Sequence, residues 1–339
     1  MADSSSPFPL FKLPILAIES ILYVSELHDL IVFSTLAKKC HRLVRSLRKS
    51  ITRILPIVVR SESTWIGFYN DQNLEGCWMF KNTPGEVEMV HRNFRGVRHY
   101  PPLVETNASR LPVENGLGYL KELFNLSINQ ITAVHNKLTK QLVPLFAENT
   151  KKVYITGTPP ISNGMLTDLL ETSNTEWFIL NAPIRRRFRF APERFKFDKL
   201  TIAQDCSRTT WNSLTPLNLT TLKLESNALT LQDCCSTVRE WLNSDNTKFA
   251  GMLLTLREDI VLRNEFESFE TVPWCRTRRS QHYKMKGLPV VDCERALDIR
   301  RRDGLWASIN FWNDEFFFGV WHTSFHQVRL QELRALEMQ

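Results

Sequence analysis

The sequence predicts an α/β protein: three short helices, then a solenoid-like stack of parallel βα units, closed by an antiparallel meander. Three observations carry this. Apolar residues recur at helical spacing over residues 10–55, a leucine pattern recurs between about residues 120 and 260, and apolar and polar residues alternate from Ala296 onward. The 339 residues suggest about two domains. Glycine, 12 of 339, stands at about half its usual ~7%. No GxGxxG or P-loop pattern is present, so glycine-loop nucleotide binding is not expected. No apolar run reaches the ~18 residues of a membrane span, and Leu13 to Val24 carries Glu19 without a small-residue cleavage site. The seven cysteines are odd in number and lack a CxxC pair. They read as reduced thiols of an intracellular protein, cytoplasmic or nuclear, with no disulfide frame and no zinc site.

Residues 1–9 read as a disordered start. Leu13-Pro14 then opens a helical set of Ile15, Ile18, Ile21 and Leu22. Proline suits a first turn because its missing N–H has no partner there anyway. A second set, Leu30, Ile31 and Phe33, follows Asp29, and a third runs through Leu36, Cys40, Leu43, Val44 and Leu47. Three helices in about 40 residues cannot close a core alone, so their apolar face needs a neighbour or a partner. From Leu30 to Ser61 there is no acidic residue, while Lys38, Lys39, Arg42, Arg45, Arg48, Lys49, Arg53 and Arg60 are basic. Lacking interleaved aromatics, this run reads as a solvated or partner-facing surface in preference to a phosphate track.

Over residues 62–118 the legible features are a hairpin, with Trp65–Phe68 and Cys77–Phe80 flanking Asn70–Asn73, and a strand over Asn93–Val97 leading to a loop at Pro101-Pro102. Further on, Leu219, Leu222, Leu224, Asn227 and Leu229 fit the pattern LxxLxLxxNxL. Related triplets are Phe124/Leu126/Asn129, Val153/Ile155/Thr158, Trp177/Ile179/Ala182, Leu200/Ile202/Asp205 and Leu254/Leu256/Asp259. Each predicts a short strand with its two apolar residues inward and the residue between them outward. Leu126, Ile155, Ile179, Ile202, Leu224 and Leu256 are therefore expected in the core. Asn125, Tyr154, Phe178, Thr201, Lys223 and Thr255 are expected in an outward column ~4.8 Å apart. Return helices are expected over Val134–Ala147, Asn163–Glu171 and Leu231–Leu242. A parallel sheet covered by helices, without horseshoe curvature, explains the same pattern.

Residues 263–290 are basic and irregular, with Arg276, Arg278 and Arg279 beside Trp274. Then Leu297/Ile299, Ala307/Ile309/Phe311 and Phe316/Phe318/Val320 alternate, which predicts a meander over about 295–322 that covers the end of the stack. Ile299, Ile309 and Phe318 are expected on its buried side. Asp303-Gly304 predicts a two-residue hairpin turn and Asn313-Asp314 a second turn.

The N-terminal residues Leu13-Pro14, Ile21-Leu22, Asp29-Leu30, Ser34 and Lys38-Lys39 with Arg42-Leu43 resemble an F-box over residues 10–55. Ile15-Leu16 replaces the usual acidic pair, and Cys40 the usual aromatic of the last helix. Asp298-Ile299-Arg300-Arg301-Arg302-Asp303-Gly304, through Ala307-Ser308-Ile309 to Val320-Trp321, resembles the end of the type 2 F-box-associated domain of nematode F-box proteins, placing that domain at 62–325. The resemblance implies a non-catalytic receptor subunit of a cullin-type (SCF) ubiquitin ligase, without cofactor. Leu13, Pro14, Ile21, Leu22 and Leu30 would form or support the face that binds a Skp-type adaptor, which links to a cullin. The associated domain, an irregular leucine-rich-repeat-like stack, would bind a target protein, with Tyr154, Phe178, Thr201 and Lys223 as candidate contacts.

Catalytic signals are weak. His322 and His326 have helical metal-ligand spacing but no HExxH glutamate, and read as a solvated pair. Cys234-Cys235 read as helix core or edge, and no GxSxG elbow exists. Two other classes stay open. One is a leucine-rich-like interaction scaffold without a ligase role. The other is a nucleic-acid binder using the net charge of +7 and the stripe Arg185-Arg186-Arg187-Phe188-Arg189.

Overall fold

The structure, a computed structural model, describes residues 10–25, 27–47, 55–59, 63–70, 73–81, 89–93, 96–100, 112–124, 128–204, 211–214, 218–225, 229–256, 266, 268–276, 278–285, 288–312 and 314–322. The expected disordered start, Asn125, Leu126, Asp205, Asn227, Asp259 and His326 lie outside these. The protein is mixed α/β, and no described helix is long and apolar enough to cross a membrane. It divides into two compact units, Met1–Ala133 and Val134–Gln339.

In the first unit a 3-10 turn (Leu10–Lys12) leads into helices α1 (Ile15–Val24), α2 (Leu27–Leu36) and α3 (Lys38–Leu47). Pro14 precedes the first turn of α1, and its carbonyl accepts from the Ala17 and Ile18 N–H groups. Ile18 and Leu22, four apart, share one face of α1 and are buried, as are Leu30 and Ile31 of α2 and Cys40 and Val44 of α3. Strands β1 (Leu55–Val59), β2 (Ser63–Asn70), β3 (Asn73–Lys81), β4 (Met89–Asn93) and β5 (Gly96–Tyr100) form an antiparallel meander. The expected β2–β3 hairpin is present, closed by Asn70 opposite Asn73. Asn93 ends β4 and lies opposite Gly96 at the start of β5, so the strand expected over Asn93–Val97 is divided between two antiparallel strands. Helix α4 (Pro112–Phe124) follows, and β6 (Ile128–Val134) joins β1 in parallel. Phe124, read as the first strand residue of the repeat, ends α4 instead. At helical spacing before it stand Leu120 and Leu117, which are buried, as is the adjacent Leu123.

The second unit holds β7 (Thr150–Thr156), α5 (Asn163–Thr172), β8 (Thr175–Asn181), β9 (Lys199–Ile202), β10 (Thr221–Glu225), α6 (Leu231–Asn243) and β11 (Gly251–Thr255). Strands β7 to β11 pair in parallel in chain order. Helices α5 and α6 match their expected ranges. Ser162 caps α5 by accepting from the Met165 N–H at 3.3 Å, and the Thr230 N–H and hydroxyl both donate to Asp233 at the start of α6. The expected helix over Val134–Ala147 is instead a 3-10 turn (His135–Lys137) followed by 3-10 helix over Lys140–Ala147. Pro144 sits inside it and lacks the N–H that an α-helix needs. Cys234 and Cys235 are both buried in α6.

Short strands β12 (Val272–Pro273), β13 (His282–Tyr283) and β14 (Val291–Asp292) precede β15 (Leu297–Arg300), β16 (Trp306–Trp312) and β17 (Glu315–Trp321). Strand β17 pairs antiparallel with β11, and β16, β15 and β12 continue from it, while β13 and β14 form a separate pair. The meander thus takes up the edge of the parallel strands by hydrogen bonding.

Two rows of core residues cross the unit. Val153, Phe178, Leu200, Leu222, Met252 and Phe318 lie opposite one another, as do Ile155, Leu180, Ile202, Leu224, Leu254 and Phe316. Three of the six expected inward positions, Ile155, Ile202 and Leu224, are in the second row. Ile179 is buried on the other face, and Leu256 is buried just past β11. In β8 the reading is one residue out of register: Phe178 and Leu180 point inward, not Trp177 and Ile179. A one-residue slip inverts a strand, and Trp-Phe-Ile-Leu has no polar residue to mark the faces.

Candidate docking surfaces

Among the described residues eight large apolar side chains are exposed, and seven of them lie between Phe11 and Leu36. Helix α1 carries most: Leu16 is 72%, Tyr23 68% and Val24 81% exposed, beside Ile15 and Ile21. The cause is helical geometry on an over-apolar segment. Ile18 and Leu22 use up the inward face, which leaves the remaining apolar residues on the outward one. Of the five residues expected at the adaptor face, Pro14 and Ile21 are exposed, Leu13 is half-buried, and Leu22 and Leu30 are buried. Phe11 stacks on Phe33 with ring centroids 6.3 Å apart, and Lys39 Nζ lies 4.6 Å over the Phe11 ring.

Another side of these helices is covered from within the unit. Tyr119 of α4 shares a 2.6 Å hydrogen bond with Ser34, its ring meets the edge of His41, and Arg45 pairs with Glu122 at 3.3 Å. Burial raises the pKa of the Tyr119 phenol and keeps it a neutral partner for Ser34. A groove of about 380 Å³ remains there, lined in part by Ser34, Lys38, His41, Arg42 and Tyr119. Sequence reasoning missed this helix, although Leu117, Leu120, Leu123 and Phe124 behind Pro112 have helical spacing.

On the second unit, the outward row at the expected strip is Tyr154, Ile179, Thr201, Lys223 and Leu253. Phe178, expected as an outward anchor, is instead fully buried and stacks on Phe197. Its place outside is taken by Ile179 and, one row over, by Trp177. Trp177 Nε1 donates to Thr201 at 3.0 Å, and Lys152 lies 5.0 Å over its ring. Tyr154 is half-buried; its hydroxyl accepts from Asn181, whose carbonyl accepts from Gln204. Lys223 pairs with Glu225 at 3.2 Å. Thr255 lies opposite Glu225, one row beyond the strip. The strip ends at β11, where Leu253 and Phe317 are covered by Tyr283, Val291, Cys293 and Ala296. Burial pushes the Cys293 thiol up to about 12, so it stays neutral in this apolar cover.

The meander contains a second kind of order. Asp298 is fully buried and accepts from Arg279 Nε at 2.7 Å and Nη2 at 2.6 Å, from Arg278 Nη1 at 2.9 Å and from Ser308 at 2.8 Å. Ser308 in turn accepts from Trp321 Nε1. Arg301 is buried over Trp241, donates to the Asn246 carbonyl and grips Asp303, which holds that exposed carboxyl down at about 2. The turn at Asp303-Gly304 differs from expectation. Arg301 and Leu305 pair by an N–H to carbonyl bond of 2.8 Å around three loop residues, with Gly304 at φ +92°. Glycine fits because a side chain rarely adopts that φ. Ile299, Ile309 and Phe318 are buried on one side, as expected. His322, read as half of a solvated pair, donates through Nε2 to the Phe249 carbonyl at 2.8 Å.

No family model matches the chain, and no solved structure matches it. It is similar to the uncharacterized protein F59B2.8 of Caenorhabditis elegans, with 24% identity over 367 residues that cover 98% of this chain and 82% of that protein.

Proposed function

We propose that this chain is a non-catalytic receptor subunit of a cullin-type ubiquitin ligase, in which the helices of residues 10–47 dock on a Skp-type adaptor and the second unit holds a target protein. The observation that carries the reading is the concentration of exposed apolar side chains on α1 and its flanks. Contiguous exposed apolar surface of this kind marks an interaction site. The F-box-like order of Leu13-Pro14, Ile21-Leu22 and Asp29-Leu30 supports the choice of adaptor. In this reading β7 to β11 are an irregular leucine-rich-like stack, the half-buried Tyr154, Trp177 and Lys223 face the target, and Ile179 and Thr201, buried in the same strip, support them.

The test is direct binding of the full chain to a purified Skp-type adaptor. Leu16 and Tyr23 are exposed, so Leu16→Asp with Tyr23→Asp should leave the melting curve unchanged. Loss of two interface anchors should weaken adaptor binding by about tenfold or more. Unchanged affinity in the double variant would remove α1 from the interface. Absence of adaptor binding by the native chain would favour the scaffold reading.

A further inference from the structure

The groove between α2, α3 and α4, which the receptor reading leaves without a role, lies wholly within the first unit. Its volume of about 380 Å³ falls in the range of small-molecule sites, about 300–1,000 Å³. Lys38, His41, Arg42 and Arg45 of α3 line it. They stand at positions i, i+3, i+4 and i+7, the spacing of one helix face. Cys40 and Val44 take the buried face of the same helix, which leaves the basic stripe turned toward the groove.

The hydroxyl groups of the groove have already given up their protons. Ser34 donates to the Ile31 carbonyl, and Thr35 to the Val32 carbonyl at 2.7 Å. A hydroxyl carries one proton, so in the Ser34–Tyr119 hydrogen bond it is Tyr119 that donates. Glu122, the carboxylate among the lining residues, accepts from Arg45 at 3.3 Å. The capacity left over is basic. Lys38 and Arg42 are exposed and form no ion pair among the described residues. His41 is half-buried with its ring against Tyr119, and its ring nitrogens have no hydrogen-bond partner among the described residues. Setting Lys38, Arg42 and Arg45 against Glu122 leaves two positive charges in excess.

We propose that this groove binds the phosphate group of a small molecule through Lys38, His41 and Arg42. A phosphate monoester carries close to two negative charges and three acceptor oxygens, which answers both the charge excess and the unused donors. Residues three and four apart on a helix face have Cβ atoms about 5–6 Å apart, so one tetrahedral group can touch all three side chains. Arg42 offers a planar fork for two parallel hydrogen bonds, and Lys38 a point charge. A monocarboxylate would leave one positive charge unbalanced. The site lies apart from the strip of the second unit, and the proposal does not rest on the receptor reading.

The experiment is isothermal titration calorimetry of the full chain, without adaptor, at physiological ionic strength. The titrants are inorganic phosphate, glucose 6-phosphate, ADP, succinate and a hexaglutamate peptide. At least one phosphate compound should bind with a Kd below about 1 mM, and at least about tenfold tighter than succinate or hexaglutamate. The tightest of the three shows whether the group comes free, on a sugar or on a nucleotide. Lys38→Ala with Arg42→Ala should weaken that binding by about tenfold or more, since each removes a charged hydrogen-bond donor. Arg185→Ala with Arg187→Ala removes the same charge from exposed positions of the second unit and should leave the affinity unchanged. If the first double variant melts early, Lys38→Gln with Arg42→Gln, which keeps the side-chain length, decides by the same criterion. Failure of all three phosphate compounds to bind, equal binding of succinate, tighter binding of hexaglutamate, or an equal loss in the Arg185 and Arg187 variant would each overturn the proposal.

Discussion

Asp298 shows how much a single residue's surroundings change its meaning. In the sequence it is one acid beside a run of arginines; in the fold it is fully buried and takes hydrogen bonds from Arg279, Arg278 and Ser308. A buried ion pair adds little net stability over apolar packing, but removing one member leaves the other charged and unpaired, at about 3–5 kcal/mol. Asp298→Ala should therefore lower unfolding free energy by about that much in chemical denaturation. Asp298→Leu combined with Arg279→Met should be milder than Asp298→Ala; if it is equally damaging, ion pairing is not the main role of this site. The neighbouring arginines divide in the same way. Arg301 is buried over Trp241, while Arg300 is exposed beside Trp306. Nothing in the run Arg300-Arg301-Arg302 marks which member goes inside, because the choice depends on where Trp241 and Asn246 arrive from elsewhere.

Strand legibility depends on contrast between the two faces. In β7, Lys152, Tyr154 and Thr156 alternate with Val153 and Ile155, and the inward residues are read correctly. In β8 the contrast is absent, and local alternation puts Phe178 on the wrong face. The run Phe316-Phe317-Phe318 would be as ambiguous if flanking β16 did not show the period. Both faces are covered there: Phe318 packs on Trp241 and Phe249, and Phe317 on Tyr283. Phe318→Ala should cost about 3–5 kcal/mol and lower the melting temperature by several degrees. A melting curve unchanged from that of the native chain would mean that the row from Val153 to Phe318 is not one packed core.

At the scale of the whole molecule, the chain divides into two compact units, Met1–Ala133 and Val134–Gln339. Under the proposed function, the full chain carrying Phe318→Ala should keep its adaptor affinity at temperatures below its melting point, although it melts earlier. Loss of that affinity in the folded variant would assign the C-terminal meander to the adaptor interface. The sequence by itself determined the α/β class, the three N-terminal helices, the α5 and α6 ranges, the β2–β3 hairpin and the alternation of the last three strands. These follow from local periodicity, capping and turn residues, which act within a few positions along the chain. The tertiary structure alone decided the register of β8, the burial of Asp298, Arg279 and Arg301, the cover of α3 by α4, and the antiparallel docking of β17 on β11. Each of these is set by residues distant in sequence competing for the same buried volume or the same hydrogen-bond partner, and no local pattern records the outcome of that competition.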